Sequence, residues 1–252
     1  SPFSLDKQAE ASDGSAVGDI RVAFSTSVSA GSAAHAYGPH ASNKGGDVYY
    51  GIGSTQTNSQ ADATKPDFVE GEHTYITALH EVGHALGLSH PFDGGSTDGS
   101  TMNLNIDTQR NTVMTYNQKD RNLKIKLDGS GNAAFNGKVY MSTPGLLDIE
   151  AIEHIYGSTN WAANAGSTTY GNEARNGSGL DAVETVRGDF DDSFEGLRVI
   201  SDSAGTADTI DASDVTADAY GRHSIINLTP GTYSSINYYA TDLEKITAVS
   251  AG

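Results

Sequence analysis

The run Ile76 to Pro91, ITALHEVGHALGLSHP, places three histidines and one glutamate within eleven residues of otherwise small and apolar chain. His80 and His84 stand four apart, so on an α-helix both imidazoles leave the same face one turn apart. That is bite geometry for one small cation. Zinc takes neutral ring nitrogens in this way and becomes catalytic when a fourth position stays open. Glu81, beside the first ligand, is placed to take a proton from a water at that position without binding the metal itself. Gly87 adopts backbone angles that strain other residues, so the chain can leave the helix and return His90 as a third ligand. A lone histidine on an apolar helix face is more often a satisfied core residue. The full spacing HExxHxxGxxH demands too many coincidences for that bland reading.

The elements that must hold these side chains can be read from periodicity and turn chemistry. Glu72 to Leu88 has the pattern of a helix closed by Gly87, and Thr143 reads as the cap of a second helix, Pro144 to Tyr156, closed by Gly157. GDIRVAFSTSV (Gly18 to Val28) alternates as a strand does, and AAHAYGP and GGDVYYGIG are short strand candidates separated by turns. LKIKLDGSGNAAF has the form of a hairpin. After Gly157 the helical period is lost and Gly, Ser, Thr and Asp dominate, with short β-like runs such as HSIINLT and YSSINYY. The expected domain boundary lies near Gly157.

Composition narrows the function classes. The 252 residues suffice for one large or two modest domains. A net charge of -17 argues against a nucleic-acid partner. With no cysteine, neither a disulfide framework nor a cysteine-bound zinc is available. No apolar run approaches the ~20 residues of a membrane span, and the N-terminus carries no signal-peptide pattern. The start SPFSLDKQ, without an initiator Met, leads us to expect a processed or trimmed chain, in which a missing leader says little about export.

The motif HEVGHALGLSHP resembles that of the metzincin zinc peptidases, and Pro91 directly after the third histidine is similar to the serralysin branch. VMTY (Val113 to Tyr116) resembles the Met-containing turn that lies beneath the metal in that family. The resemblance implies a structural role for Met114. It also implies that Tyr116 is a further, displaceable zinc ligand that hydrogen-bonds the oxyanion once released. AAHAYGP and GGDVYYG are similar to the serralysin edge strand and its successor, which implies substrate binding at Ala36 and Tyr37. STPGLLDIEAIEHIYGS is similar to the helix that closes the catalytic domain.

The fold so implied is α+β. A metzincin-like catalytic domain over residues 1–157 (twisted mixed sheet, active-site helix, closing helix) is followed by a β-rich region over 158–252. The implied function is that of a bacterial, secreted or cell-surface zinc-dependent endopeptidase. Its partners would be protein or peptide substrates and, by the same resemblance, a proteinaceous inhibitor.

Two departures from the family pattern bear on this reading. The glycine- and aspartate-rich calcium repeats do not occur before the chain ends at AVSAG. FSLDKQAE looks like the start of the family's N-terminal helix, at Ser4, yet SAVGDIRVAF follows within a few residues, so a shortened upper sheet is expected. AGTADTIDAS and TDLE resemble stretches that hold calcium, which makes Asp208 and Glu244 a candidate calcium pair. Acidic loops that are merely solvated are an equal reading of the same residues. Two other functions stand beside the peptidase: a catalytically silent, calcium-stabilised surface or binding module, and a zinc hydrolase acting on something other than peptides. Loss of Glu81 or a ligand would favour the silent module, and none is lost.

Overall fold

The computed structural model describes residues 18–28, 32–52, 68, 71–94, 99–118, 123–127, 130, 132–138 and 140–157. Of the later chain it describes 167, 169–171, 186–189, 197, 199–201, 207–211, 223–238 and 246–247. The helix start expected at Ser4 and the acid Glu244 lie outside the described residues. The chain divides into two units, Ser1–Gln118 with Tyr140–Ser158, and Lys119–Val139 with Thr159–Gly252.

In the first unit, β1 (Arg21–Ser25), β2 (Ala34–Ala36) and β3 (Asp47–Gly51) form a mixed sheet in the order β1-β3-β2. β1 runs parallel to β3, and β2 runs antiparallel on its other side. Side chains alternate across the pleat. One face therefore presents Ala34, Ala36, Val48 and Tyr50, which pack with Ala78 and Ala85 of the first helix. Alanines on β2 allow the helix backbone to approach closely. The other face carries Asp47, whose two carboxylate oxygens each accept from the Arg21 guanidinium at 2.7 Å, while Tyr49 donates its hydroxyl at 2.9 Å. That half-buried, bidentate pair fixes β1 against β3.

The first helix, α1, spans His73–Ala85. It is shorter at its end than the expected Glu72 to Leu88, because the chain turns at Gly87, whose φ is +99°. Gly87 N–H donates to His84 C=O and Leu88 N–H to Gly83 C=O, both at 2.9 Å, the paired bonds of a Schellman closure. The second helix, α2, spans Leu146–Tyr156 and begins two residues later than expected. Its cap is not Thr143. Gly145 occupies the cap position, and Asp148 reaches back to its N–H at 2.7 Å. A Cβ at Gly145 would come within 2.2 Å of the Asn111 carbonyl oxygen, so only glycine lets α2 start this close to the loop before Met114.

The second unit contains an antiparallel hairpin, β4 (Leu123–Leu127) with β5 (Ala133–Lys138). It also contains a parallel trio in which β6 (Thr169–Gly171) lies between β7 (Val186–Asp189) and β8 (Thr209–Ile210). The runs HSIINLT and YSSINYY supply β9 (His223–Ile225) and β10 (Ser235–Tyr238), paired antiparallel.

Candidate metal centre

α1 delivers His80 and His84 from one face, and the glycine turn brings His90 to meet them. His90 Nε2 lies 3.1 Å from the Nε2 of His80 and 3.1 Å from that of His84. Among the described residues this is the one group of three or more His, Cys, Asp or Glu side chains placed to hold a metal.

The outer nitrogens decide what the inner ones can do. His80 Nδ1 donates to Val113 C=O at 2.7 Å, His84 Nδ1 to Leu88 C=O at 2.7 Å, and His90 Nδ1 to Asp93 Oδ2 at 2.5 Å. Carbonyl and carboxylate oxygens only accept, so each neutral ring carries its proton on Nδ1 and turns a lone pair inward on Nε2. The lone pairs of His80 and His84, each 3.1 Å from that of His90, repel it. A shared proton bridges one such gap at a time, and burial pushes His80 down to about 4 and lowers His84 as well, which disfavours a charged ring. A cation relieves both contacts together. Tetrahedral zinc bonds of ~2.0–2.1 Å separate neighbouring nitrogens by ~3.3 Å. The donor set and its spacing fit zinc.

The site is locked from outside. Asp148, buried in α2, accepts from Thr112 Oγ1 at 2.5 Å and from Val113 N–H at 2.7 Å, besides its bond to Gly145. It thus fixes Val113, the residue whose carbonyl orients His80. Burial raises the Asp148 pKa, and the three donors oppose that rise. The carbonyl that orients His84 belongs to Leu88, inside the Schellman turn, so one turn both ends α1 and sets the second ligand. Met114 is 2 % exposed, and a Cβ at Gly83 would lie 2.4 Å from its sulfur. The glycine within HEVGH is what admits the methionine.

Glu81 is 7 % exposed, and burial pushes its carboxyl up to about 7. A carboxyl held near neutrality can both take and return a proton. Tyr116 is 63 % exposed, and its hydroxyl donates to His90 Nε2 at 2.9 Å. Its ring stacks on His80 with centroids 5.4 Å apart. Phe92 lies flat on His90, 4.9 Å away with planes 7° apart, and sits 5.3 Å from the Tyr116 ring. Burial first, then the charges of Glu81 and Asp93, raise the Tyr116 pKa.

The structure brings together His80, Glu81, His84, His90, Met114 and Tyr116. Ala36 ends the edge strand β2 and Tyr37 follows it. Tyr37 N–H donates to Asp47 C=O at 2.9 Å and Gly51 N–H to Ala33 C=O at 2.8 Å. The antiparallel alternation then turns the main chain of Ala34 and Ala36 away from β3, toward the open side of β2. Asp208 is exposed just before β8, far in sequence from the histidines. Sequence reasoning missed Asp93, Asp148, Gly83 and Phe92 as supports of the site. A carboxylate three residues past a ligand could have flagged Asp93. Nothing local marks Asp148, which acts from another helix.

Comparison with known proteins agrees with this geometry. The matrixin model of the peptidase M10 family matches residues 16–128. The metalloprotease AprA of Pseudomonas entomophila (strain L48) is 34 % identical over 162 residues, covering 61 % of this chain and 30 % of that protein. Serralysin G of Dickeya chrysanthemi is 30 % identical over 198 residues, 77 % of this chain and 35 % of the relative. The metallopeptidase AprA of Pseudomonas marginalis is 33 % identical over 153 residues, 58 % and 29 % respectively. The chain therefore spans about a third of the length of these curated relatives. The matched stretch runs from the first sheet strands through the histidine helix and the methionine turn, and over it the chain is similar to the serralysin-type metzincins.

Proposed function

We propose that the chain is a zinc-dependent endopeptidase in which His80, His84 and His90 hold the metal and Glu81 is the general base. The observation that carries the reading is the convergence of three Nε2 lone pairs, with His80 and His84 each 3.1 Å from His90 and every ring fixed by an outward Nδ1 bond. Zinc bound there supplies Lewis-acid polarisation of a carbonyl and acidifies a water. The chain's own residues do the rest.

An extended peptide pairs its main chain with the open side of β2 at Ala34 and Ala36, an added strand in the sense of β-augmentation. Tyr37 spends its own amide on β3, so its contribution to substrate binding is its side chain. Glu81 takes the proton of the attacking water on a carboxylate oxygen and delivers it to the leaving amine. Tyr116, turning away from His90, donates its hydroxyl to the oxygen where negative charge develops. Asp93, Leu88 and Val113 fix the Nδ1–H tautomer and the aim of the three rings.

Residues 1–157 are the catalytic segment in this reading and 158–252 a β-rich region. No helix among the described residues is long and apolar enough to cross a membrane, and the resemblance to secreted serralysins is the ground for placing the protein outside the cell or on its surface. The relatives' names make proteins or peptides the substrate class. Digestion of casein with and without a zinc chelator tests the reading. Cleavage that the chelator abolishes and added zinc restores is expected. Cleavage insensitive to the chelator, or none from zinc-loaded protein, would contradict it.

A further inference from the structure

We propose that Gln109 clamps the backbone on both sides of Tyr116 while Asp107 ties the Asn117 side chain to the same segment, which makes Asp107 a positioning residue for the phenol. The proposal rests on the reading of Tyr116 given above. Asp107 is fully buried, 0 % exposed, and its Oδ2 accepts from Asn117 Nδ2 at 2.8 Å. Gln109 N–H donates to Asn117 C=O at 2.8 Å, and Gln109 Nε2 to Thr115 C=O at 3.3 Å. Asn117 N–H closes the set on Thr115 Oγ1 at 3.1 Å. The residues before and after Tyr116 are thus tied, by side chain and main chain, to one short segment.

That segment is itself stiff. Asp107 N–H donates to Asn103 C=O at 2.9 Å, Thr112 N–H to Thr108 C=O at 3.1 Å, and Asn111 Nδ2 to Ile106 C=O at 2.8 Å. Tyr116 stands out from this base, while Thr115 beside it is fully buried. Asp107 Oδ1 and Gln109 Oε1 have no hydrogen-bond partner in the described structure. Withdrawing a carboxylate from water for one amide donor is a costly way to build a loop, and an apolar residue would serve the fold alone more cheaply. What the arrangement does provide is a fixed pivot. With Thr115 and Asn117 pinned, the phenol moves by side-chain rotation about a stationary backbone, so its distance to the nitrogen cluster is set.

The test loads the full chain with Cu(II) in place of zinc and follows the phenolate-to-copper charge-transfer absorption, with copper content measured alongside. Asn117→Ala removes the exposed half of the clamp, Asp107→Ala the buried half, and Asp107→Asn keeps an oxygen that still accepts from Asn117. The two alanine variants should bind one copper yet lose or shift the band, and Asp107→Asn should restore most of it. With zinc, kcat should fall on the order of tenfold to a hundredfold with KM little changed, and the same changes made in Tyr116→Phe should add nothing. Should Asp107→Ala fail to fold, Asn117→Ala decides. An unaltered band in folded Asn117→Ala, an equal kcat loss in the Tyr116→Phe background, or a wild-type protein without the band would overturn the proposal. Failure of the chelator experiment sinks the peptidase reading instead, and leaves the copper band free to report on the clamp.

Discussion

The helix and turn around His80 and the acidic loops after Gly157 both present metal-grade side chains at suggestive spacings, and they fare differently. At the first, every spacing becomes a position in space, because a helix turns four residues into one turn and the Gly87 closure aims the next ligand. Each ring is then fixed a second time by a partner on Nδ1. At the second, Asp208 is exposed beside a two-residue strand, and its intended partner Glu244 lies outside the described residues. Spacing in a regular element is a statement about geometry. In a glycine-rich loop it is only a statement about composition.

The comparison breaks first if the histidines are dispensable. His84→Ala should abolish zinc retention and cleavage together, beyond the ~10–100-fold that changes to outer partners cause. Asp208→Ala should leave both at wild-type levels. Metal content and casein turnover measured on the two variants decide it, and equal losses would erase the distinction.

Support from outside the motif should rank next. Asp148→Ala leaves Val113 N–H and Gly145 N–H without their acceptor and frees the carbonyl that orients His80. It should cost about 3–5 kcal/mol in denaturant unfolding and weaken zinc ~10–100-fold. Gly83→Ala, by crowding the Met114 sulfur, should cost about 1–3 kcal/mol. A neutral Gly83→Ala would mean that Met114 is not held where the structure has it.

Acid dependence sharpens the comparison further. In metal-free protein, folding lowers the pKa of His80 to about 4 and that of His84 in the same direction, so their contribution is complete above the ordinary ~6.5 and lost as pH falls through the folded value. Glu81 runs the other way. Raised to about 7, it favours the fold at low pH and withdraws that stability as pH rises through 7. Two histidines outweigh one glutamate, so the melting temperature should fall from pH ~6.5 toward 4 and dip only slightly between ~6.5 and 7.5. Glu81→Gln should remove the upper dip and steepen the acid fall, because the Glu81 contribution opposes that of the histidines below pH ~6.5.

The smallest effect belongs to the loops. A calcium held by Asp208 and Glu244 should raise the melting temperature by a few degrees at tenfold excess over Kd, equivalent to about 1.4 kcal/mol. Asp208→Asn should abolish the rise. No shift in wild-type protein would leave these acids as surface charge.

Legibility followed the same division. His80, His84, His90 and Gly87 could be read because their constraint is local and periodic, and β1 to β3 because alternation and turns mark them. The α1 terminus was set too late, since Leu86 to Leu88 keep a helical composition while Gly87 already reverses the chain. Thr143 was a plausible cap by residue type, but Asp148, three residues inside Gly145, satisfies the end instead. Asp107 and Asp148 could not be found from pattern. Each acts through space on a group distant in sequence, the Asn117 side chain for Asp107 and the Val113 N–H for Asp148, and a buried carboxylate has the same letter as a solvated one.

The central claim, that Glu81 moves the proton while the histidines hold the metal, is tested most directly by Glu81→Gln. The amide fills the same buried seat without a basic oxygen. The zinc-loaded variant should hold one zinc per chain, melt no lower than wild type, and lose about 10²–10⁴-fold or more of its casein turnover. Wild-type turnover in a variant that carries its full zinc would contradict the account.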